Sequence, residues 1–226
     1  MNDVAHRAIR SFVIRAGRIT DAQERALSQS WPVYGLDFAP APLDLDALFG
    51  RHAPRSLEIG FGNGDHLAAL AASRVDTDYI GIEVHRPGVG ALLLSAERLQ
   101  LRNLRAICHD AVEVLQHQIA AGALDEVLLL FPDPWPKKRH NKRRIVNAEF
   151  TELVASRLRP GGVFRLATDW EPYAEHMLET LRASASFTNE ATTDYVERPA
   201  HRDATRFERR GTRLGHGIRD LAFRRR

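Results

Sequence analysis

The sequence predicts a doubly wound α/β fold with a mostly parallel sheet, on three observations. A short apolar strand, Arg55-Ser-Leu-Glu-Ile-Gly60, runs into the glycine-rich turn Phe61-Gly62-Asn63-Gly64-Asp65 and then a helical stretch from His66 to Ser73. Further strands alternate with apolar stripes at helical spacing, the pattern of successive strand-helix units. The strands also carry acids at or near their ends, Glu58, Glu83, Asp110 and Asp133. A parallel sheet gathers such positions in one crevice beyond its carboxyl edge.

The elements follow in order. Residues 1–50, with Arg7, Arg10, Arg15 and Arg18 ahead of Trp31-Pro32, read as a partly ordered basic arm before a domain over 51–226. In the glycine turn, Gly60, Gly62 and Gly64 permit a tight bend and close approach of a ligand at a helix N-terminus. Asp65 stands where a dinucleotide fingerprint needs Gly or Ala, and is the expected N-cap. Glu58 and Asp65 repel a pyrophosphate and suit a cation, such as the sulfonium and ammonium of S-adenosylmethionine. Tyr79–Glu83 is the second strand, its acid placed to hold a ribose. Pro87 opens a helix carrying Val89, Leu92, Leu93, Ala96 and Leu99. Leu104–Asp110 is the third strand, where Asp110 has a competing role in a capping box with Glu113. The next helix carries Val112, Leu115 and Ile119 and ends at Gly122. An apolar strand ends near Phe131. Asn147 caps a helix bearing Phe150, Leu153, Val154 and Leu158, which Arg159-Pro-Gly-Gly162 stops. Val163–Ala167 is the fifth strand, and Asp169 precedes a last stripe of Ala174, Met177, Leu178 and Leu181.

The most informative segment is Phe131-Pro-Asp-Pro-Trp-Pro-Lys-Lys-Arg-His-Asn-Lys-Arg-Arg144. Each proline excludes the helical region for the residue before it, which predicts Phe131, Asp133 and Trp135 extended in an open, stiff loop. Its indole and carboxylate can sandwich a flat base and read its edge. Six Lys or Arg side chains follow between Lys137 and Arg144. From Arg198 to the C-terminus ten arginines face three acids, although the net charge of the whole chain is only +3. Two basic regions are the footprint expected for a phosphate backbone.

Other classes are excluded by composition. One cysteine, Cys108, permits no internal disulfide or multi-cysteine zinc site, and reads as a small buried hydrophobe. The ten histidines show no metal-ligand spacing, so no metal is expected. No apolar run reaches the roughly 18 residues a membrane span needs, and the start lacks the apolar stretch of a signal peptide. A soluble, cytoplasmic protein, monomeric or weakly dimeric, is the expectation.

Glu58-Ile-Gly-Phe-Gly-Asn-Gly64, Phe131 to Arg144, Ala167-Thr-Asp169 and Thr205-Arg-Phe-Glu208, in that order, resemble the bacterial tRNA (guanine-N7-)-methyltransferases. The resemblance runs from about Arg10 to Phe223. It implies a Rossmann-like class I methyltransferase fold with a seven-stranded sheet, S-adenosylmethionine as donor, and a guanine in the tRNA variable loop (position 46) as acceptor. It implies cofactor contacts for Glu58, Glu83, Asp110 and Asp133, with Asp133 also the catalytic position. Lys137, Asp169 and Thr205, Arg206, Phe207 and Glu208 would bind the substrate, and Arg139, His140, Asn141, Lys142, Arg143 and Arg144 would contact RNA. Methylation of an adenine amino group, or a non-catalytic RNA-binding role on the same fold, are the competing readings. The intact glycines and Glu83 speak against the second.

Overall fold

The structure is a computed structural model that describes residues 10–13, 17–199, 208 and 217–226. Its strands are β1 (Gly35–Leu36), β2 (Arg55–Ile59), β3 (Asp78–Ile82), β4 (Leu104–Ile107), β5 (Leu124–Leu130), β6 (Leu158–Thr168), β7 (Phe187–Asn189) and β8 (Arg219–Arg225). Helices are α1 (Asp21–Gln29), α2 (Trp31–Tyr34), α3 (Leu45–Phe49), α4 (Asp65–Ser73), α5 (Arg86–Arg98), α6 (Ala111–His117), α7 (Ala148–Arg157) and α8 (Glu171–Ala183).

One sheet has the order β1-β4-β3-β2-β5-β6-β8-β7. Every pair from β1 to β6 is parallel, whereas β8 runs antiparallel to both β6 and β7. The chain leaves β2 towards β3 and β4, then returns to the other side of β2 with β5. That reversal opens a crevice at the carboxyl ends of β2 and β5. Strands buried on both faces need apolar residues on both, and two cores result. Leu57 and Ile59 pack with Phe164 and Phe223 under Val114, Phe150 and Tyr173 of α6, α7 and α8. On the other face Tyr79, Leu104 and Leu128 pack under Leu67 of α4, Leu92 of α5 and Ala26 of α1.

Four expectations are corrected. Eight strands stand where seven were expected, because two residues of β1 add an edge beside β4. Residues from Thr20 onward, assigned by composition to an arm, fold onto the domain. Thr20 and Gln23 form a capping box for α1, and Tyr34 donates its hydroxyl to the Ala96 carbonyl, 3.2 Å away. The N-cap of α4 is Gly64 at φ 77°, with Asp65 already inside the helix. Finally, α6 ends at His117, and Gly122 at φ 68° instead shapes the turn into β5. The Asn147 cap stands as expected, its Oδ1 accepting from Phe150 N at 3.0 Å.

Among the described residues, the arginines of the last strand and the C-terminus hold protein partners. Arg219 to Arg225 is a strand, and its antiparallel sense carries Arg224 to the start of the β6 ladder, opposite Val163. That edge lies away from the crevice. Arg224 pairs with Glu190, Arg225 donates to the Leu158 carbonyl, and Arg226 donates to Thr188 Oγ1 at 2.9 Å. Cys108 is half-buried, and burial pushes its thiol pKa up. Among the described residues, no helix is long and apolar enough to cross a membrane, and no cluster of His, Cys, Asp or Glu could hold a metal.

Phe223 sits at 1% exposure and meets Phe187 edge-on at 6.5 Å. Phe223→Ala is expected to lower the unfolding free energy by about 3–5 kcal/mol, and exposed Arg226→Ala by less than about 0.5 kcal/mol. Urea denaturation of both variants checks that β8 is part of the core.

Candidate active site

The glycine turn after β2 forms the floor of the crevice. Gly60 and Gly62 adopt φ 73° and 61°, conformations costly for any other residue. A Cβ on Gly60 would meet no protein atom within 4 Å, so this face opens onto empty space. From β3 the Glu83 carboxylate reaches across: Oε2 accepts from Gly62 N at 2.9 Å, and Oε1 from Val84 N at 2.7 Å and His85 N at 3.0 Å. A carboxylate has about four acceptor positions, so these bonds leave capacity towards the crevice. The first turn of α5 closes in behind, where a Cβ on Gly88 would overlap the Gly62 carbonyl oxygen. Asp110 caps α6, its Oδ1 accepting from Val112 N at 3.0 Å. Its helix role and its place in the cavity wall therefore coexist.

The resulting cavity is about 470 Å³, lined by Gly60, Gly62, Glu83, Asp110 and Asp133 among others. That volume falls in the range of small-ligand sites. Glu58 and Gly64 do not line it. Glu58 is 3% exposed and points to the α4 face, where Oε2 lies 3.1 Å from His66 Nδ1. Alternation along β2 puts it on the side opposite Leu57 and Ile59. Gly64 packs against Leu92.

The proline corner follows β5, but not in extended form. Phe131 and Trp135 adopt φ 53° and 46°. Proline bars the right-handed helical region for the preceding residue yet leaves the left-handed one open, and local contacts select it here. Phe131 N donates to the Ala167 carbonyl at 2.7 Å, and Trp135 Nε1 donates to the Ser11 carbonyl at 3.0 Å. Two such residues store on the order of 1–3 kcal/mol each. Asp133, between them, is exposed at the cavity wall.

The cationic run divides by burial. Lys138–Arg143 is a 3-10 helix on which Lys138, Arg139, Asn141 and Lys142 are exposed, as is Lys137 before it. Arg143 lies over the Trp135 ring at 4.9 Å, and His140 meets the same ring edge-on at 5.9 Å. The indole, which the sequence offers to a flat base, therefore already carries protein partners. Burial, with Arg139, Arg143 and Lys137 nearby, holds the His140 pKa below its usual value. Arg144 is buried and donates through Nε to the Pro134 carbonyl at 3.0 Å. It is turned into the protein, away from the surface where the sequence reading placed it.

Asp169 is half-buried just after β6 and does not line the cavity. Glu208 is buried, with Arg198 donating to it at 3.0 Å. Thr205, Arg206 and Phe207 lie outside the described residues. The sequence reading missed three parts of the wall. His109 stacks on Phe38 at 3.9 Å between centroids, His85 follows Glu83, and Ser11 to Val13 close one side. His85 and His109 stand within two residues of acids that were found, a signal that was present. Phe38 and Ser11 reach the site from far along the chain, and no local pattern marks them.

A doubly wound sheet with a glycine turn and acids around the crevice defines a Rossmann-like class I methyltransferase. Solved structures agree on the fold: the 16S rRNA methyltransferase KamB superposes with a TM-score of 0.58 at 16% identity over 80% of this chain and 92% of that one. The aminoglycoside resistance methyltransferase NpmB1 gives 0.55 at 16% over 81% and 92%. Residues 52–221 match the sequence family described as "Putative methyltransferase". The tRNA (guanine-N(7)-)-methyltransferase of Yersinia enterocolitica serotype O:8 is 56% identical over 99% of this chain and 94% of its own length. The enzymes of the same name from Shigella boydii serotype 4 and Escherichia coli K12 are each 58% identical over 97% and 92%. The chain belongs to the tRNA (guanine-N7-)-methyltransferase family.

Because Gly88 has no room for a Cβ beside Gly62, Gly88→Ala must push the glycine turn out of place at a cost of about 1–3 kcal/mol. Affinity for S-adenosylhomocysteine is expected to fall by roughly 5- to 150-fold, measured by calorimetry, with the fold retained by circular dichroism.

Proposed function

We propose that this protein transfers the methyl group of S-adenosylmethionine to N7 of a guanine in the variable loop of tRNA. It acts in the cytoplasm, as a monomer or weak homodimer. Identity of 56–58% over 97–99% of this chain to three tRNA (guanine-N(7)-)-methyltransferases carries this reading. The geometry supports it independently, since one cavity joins the glycine turn, Glu83 and Asp110 to the Asp133 corner, from which the chain runs on into a basic 3-10 helix.

The residues present fit the cofactor. Glu83, Asp110 and the open face of Gly60 would hold its ribose and purine end, and an acidic wall suits its two positive charges. When bound, the cofactor supplies a methyl group on a positively charged sulfur, and the S–CH3 bond breaks as the N7–CH3 bond forms. Guanine N7 has an in-plane lone pair and no proton to lose, so the site needs no general base. What it must supply is position and charge. Asp133 at the cavity wall can accept from the N1–H and N2 amino edge of guanine and stabilise positive charge as it reaches the purine. Asp169, after the neighbouring strand, is the second acid assigned to the base. Lys137, Arg139 and Lys142 face solvent and are assigned to phosphates, with His140 and Asn141 on the helix that Lys137 precedes. Glu58 supports the glycine turn from behind through His66.

Methyl transfer from labelled S-adenosylmethionine to unmodified bulk tRNA, with mapping of the product, tests the reading. N7-methylguanosine in the variable loop is the expected product; a methylated adenine would overturn it. Asp133→Asn is expected to cut turnover about 100-fold while leaving the thermal midpoint unchanged, since Asp133 is exposed.

A pH effect follows from His140. Its pKa is depressed in the free protein by burial and by neighbouring cations. A phosphate that neutralises those cations raises it again, so RNA binding takes up protons and tightens from neutral to mildly acidic pH. Calorimetry in buffers of different ionisation enthalpy reads the uptake, and His140→Gln is expected to abolish it.

A further inference from the structure

We propose that Arg144 is a positioning residue for methyl transfer: it ties the Asp133 corner to the start of α8 and thereby fixes the acid after β5 relative to the acid after β6. The inference rests on the reading of the site given above, and assigns a task to a residue whose motif suggests an RNA contact.

Arg144 is 8% exposed at the end of a run whose other cations reach solvent. Its guanidinium has three protein contacts. Nε donates to the Pro134 carbonyl at 3.0 Å, Nη1 lies 3.5 Å from the Pro172 carbonyl, and Cζ stands 4.8 Å over the Tyr173 ring. Pro134 is the residue after Asp133, and Pro172 opens α8 three residues after Asp169. One planar fork thus spans the two loops that carry the acids. The ring beneath it is held in turn. Tyr173 is fully buried, its hydroxyl accepts from Val146 N at 3.4 Å, and burial pushes its pKa up to about 12, so it stays neutral.

The corner needs such a clamp. Phe131 and Trp135 both hold positive φ on either side of Asp133, and a strained segment persists only where its surroundings over-determine it. The Phe131 end is anchored by the Ala167 carbonyl. At the other end the main-chain carbonyl of Pro134 is held by Arg144 alone among the hydrogen bonds of the described residues. To reach a phosphate, Arg144 would have to give up both carbonyls and the ring.

Arg144→Gln and Arg144→Lys separate the two roles. A phosphate contact depends on charge, so Lys would restore activity and Gln would lower the salt slope of tRNA binding by about 0.7–0.9. A positioning fork depends on geometry. We expect Gln to leave the salt slope, KM for tRNA and S-adenosylhomocysteine affinity unchanged while kcat falls about 10- to 100-fold, and Lys, a single-point donor, not to rescue kcat. Arg139→Ala is the contrasting variant, expected to reduce the slope. Hydrogen exchange over residues 130–139 should quicken in both Arg144 variants. Lys retains a cation over Tyr173 and stays testable if Gln does not fold. A reduced slope with kcat retained, or unchanged kcat with unchanged exchange, overturns the proposal. If the wild-type protein transfers no methyl to tRNA, the proposed function fails instead. Exchange at the corner still decides whether Arg144 clamps it.

Discussion

Parallel pairing of β2 with β3 on one side and β5 on the other is the constraint on which the site depends. Parallel strands end at the same edge, so three loops that are far apart in sequence must meet there. The glycine turn follows β2, Glu83 follows β3 and the proline corner follows β5. What converts this proximity into a shaped cavity is a set of main-chain bonds. Glu83 accepts from Gly62 N across the strand boundary, Gly60 N donates to the Ile82 carbonyl, and Phe131 N donates to the Ala167 carbonyl. Each ties the start of one loop to the neighbouring strand or to the residue that follows it.

The site concentrates strain and charge at its outer wall and keeps the inner wall relaxed. Glycines absorb the positive φ values of the inner turn without cost. At the outer corner, Phe131 and Trp135 take up similar values and need external anchors. The Ala167 and Ser11 carbonyls supply part of that anchoring, and the rest comes from the same cationic run that suggests RNA binding. Arg143 covers the indole and Arg144 holds the Pro134 carbonyl, leaving Lys137, Lys138, Arg139 and Lys142 in solvent. One segment thus does two jobs, with its C-terminal end built into the fold and its N-terminal end left outside.

Much of the fold was legible in the sequence because its signals are local. The Asn147 cap, Pro87 at the start of α5 and the glycine turn each depend on a few adjacent residues. The strand β8 was not legible: three arginines and an aspartate flank the short apolar run Leu221 to Phe223, and only long-range pairing with β6 reveals the strand. The folded residues from Thr20 to Phe49 were also missed, because basic composition before Trp31 suggested a tail and the Thr20–Gln23 capping box was not recognised. In the site, residue identity revealed Gly60, Gly62, Glu83, Asp110 and Asp133, whose chemistry suits the crevice. It did not reveal direction. Glu58 and Arg144 sit in motifs beside functional neighbours, yet alternation along β2 and burial under α8 turn both inward.

Direction also decides where a polyanion meets the protein. Counted by sequence, the C-terminal stretch is the more basic of the two arginine-rich regions. In space, the antiparallel run of β8 carries Arg224 to Arg226 to the edge opposite the crevice, where Glu190, Thr188 and the Leu158 carbonyl take up their donors. Among the described residues, Arg219 alone of these four stays near the crevice edge, opposite Thr168, and it is paired with Glu171 at 3.2 Å. A phosphate must displace such a partner before it gains anything from the charge, whereas Lys137 and Lys142 give up only water. With a net charge of +3 on the whole chain, attraction at long range is weak, and the screening length is about 8 Å at physiological salt. Among the described residues, the exposed cations that follow Asp133 in the chain are therefore the ones a polyanion reaches at least cost.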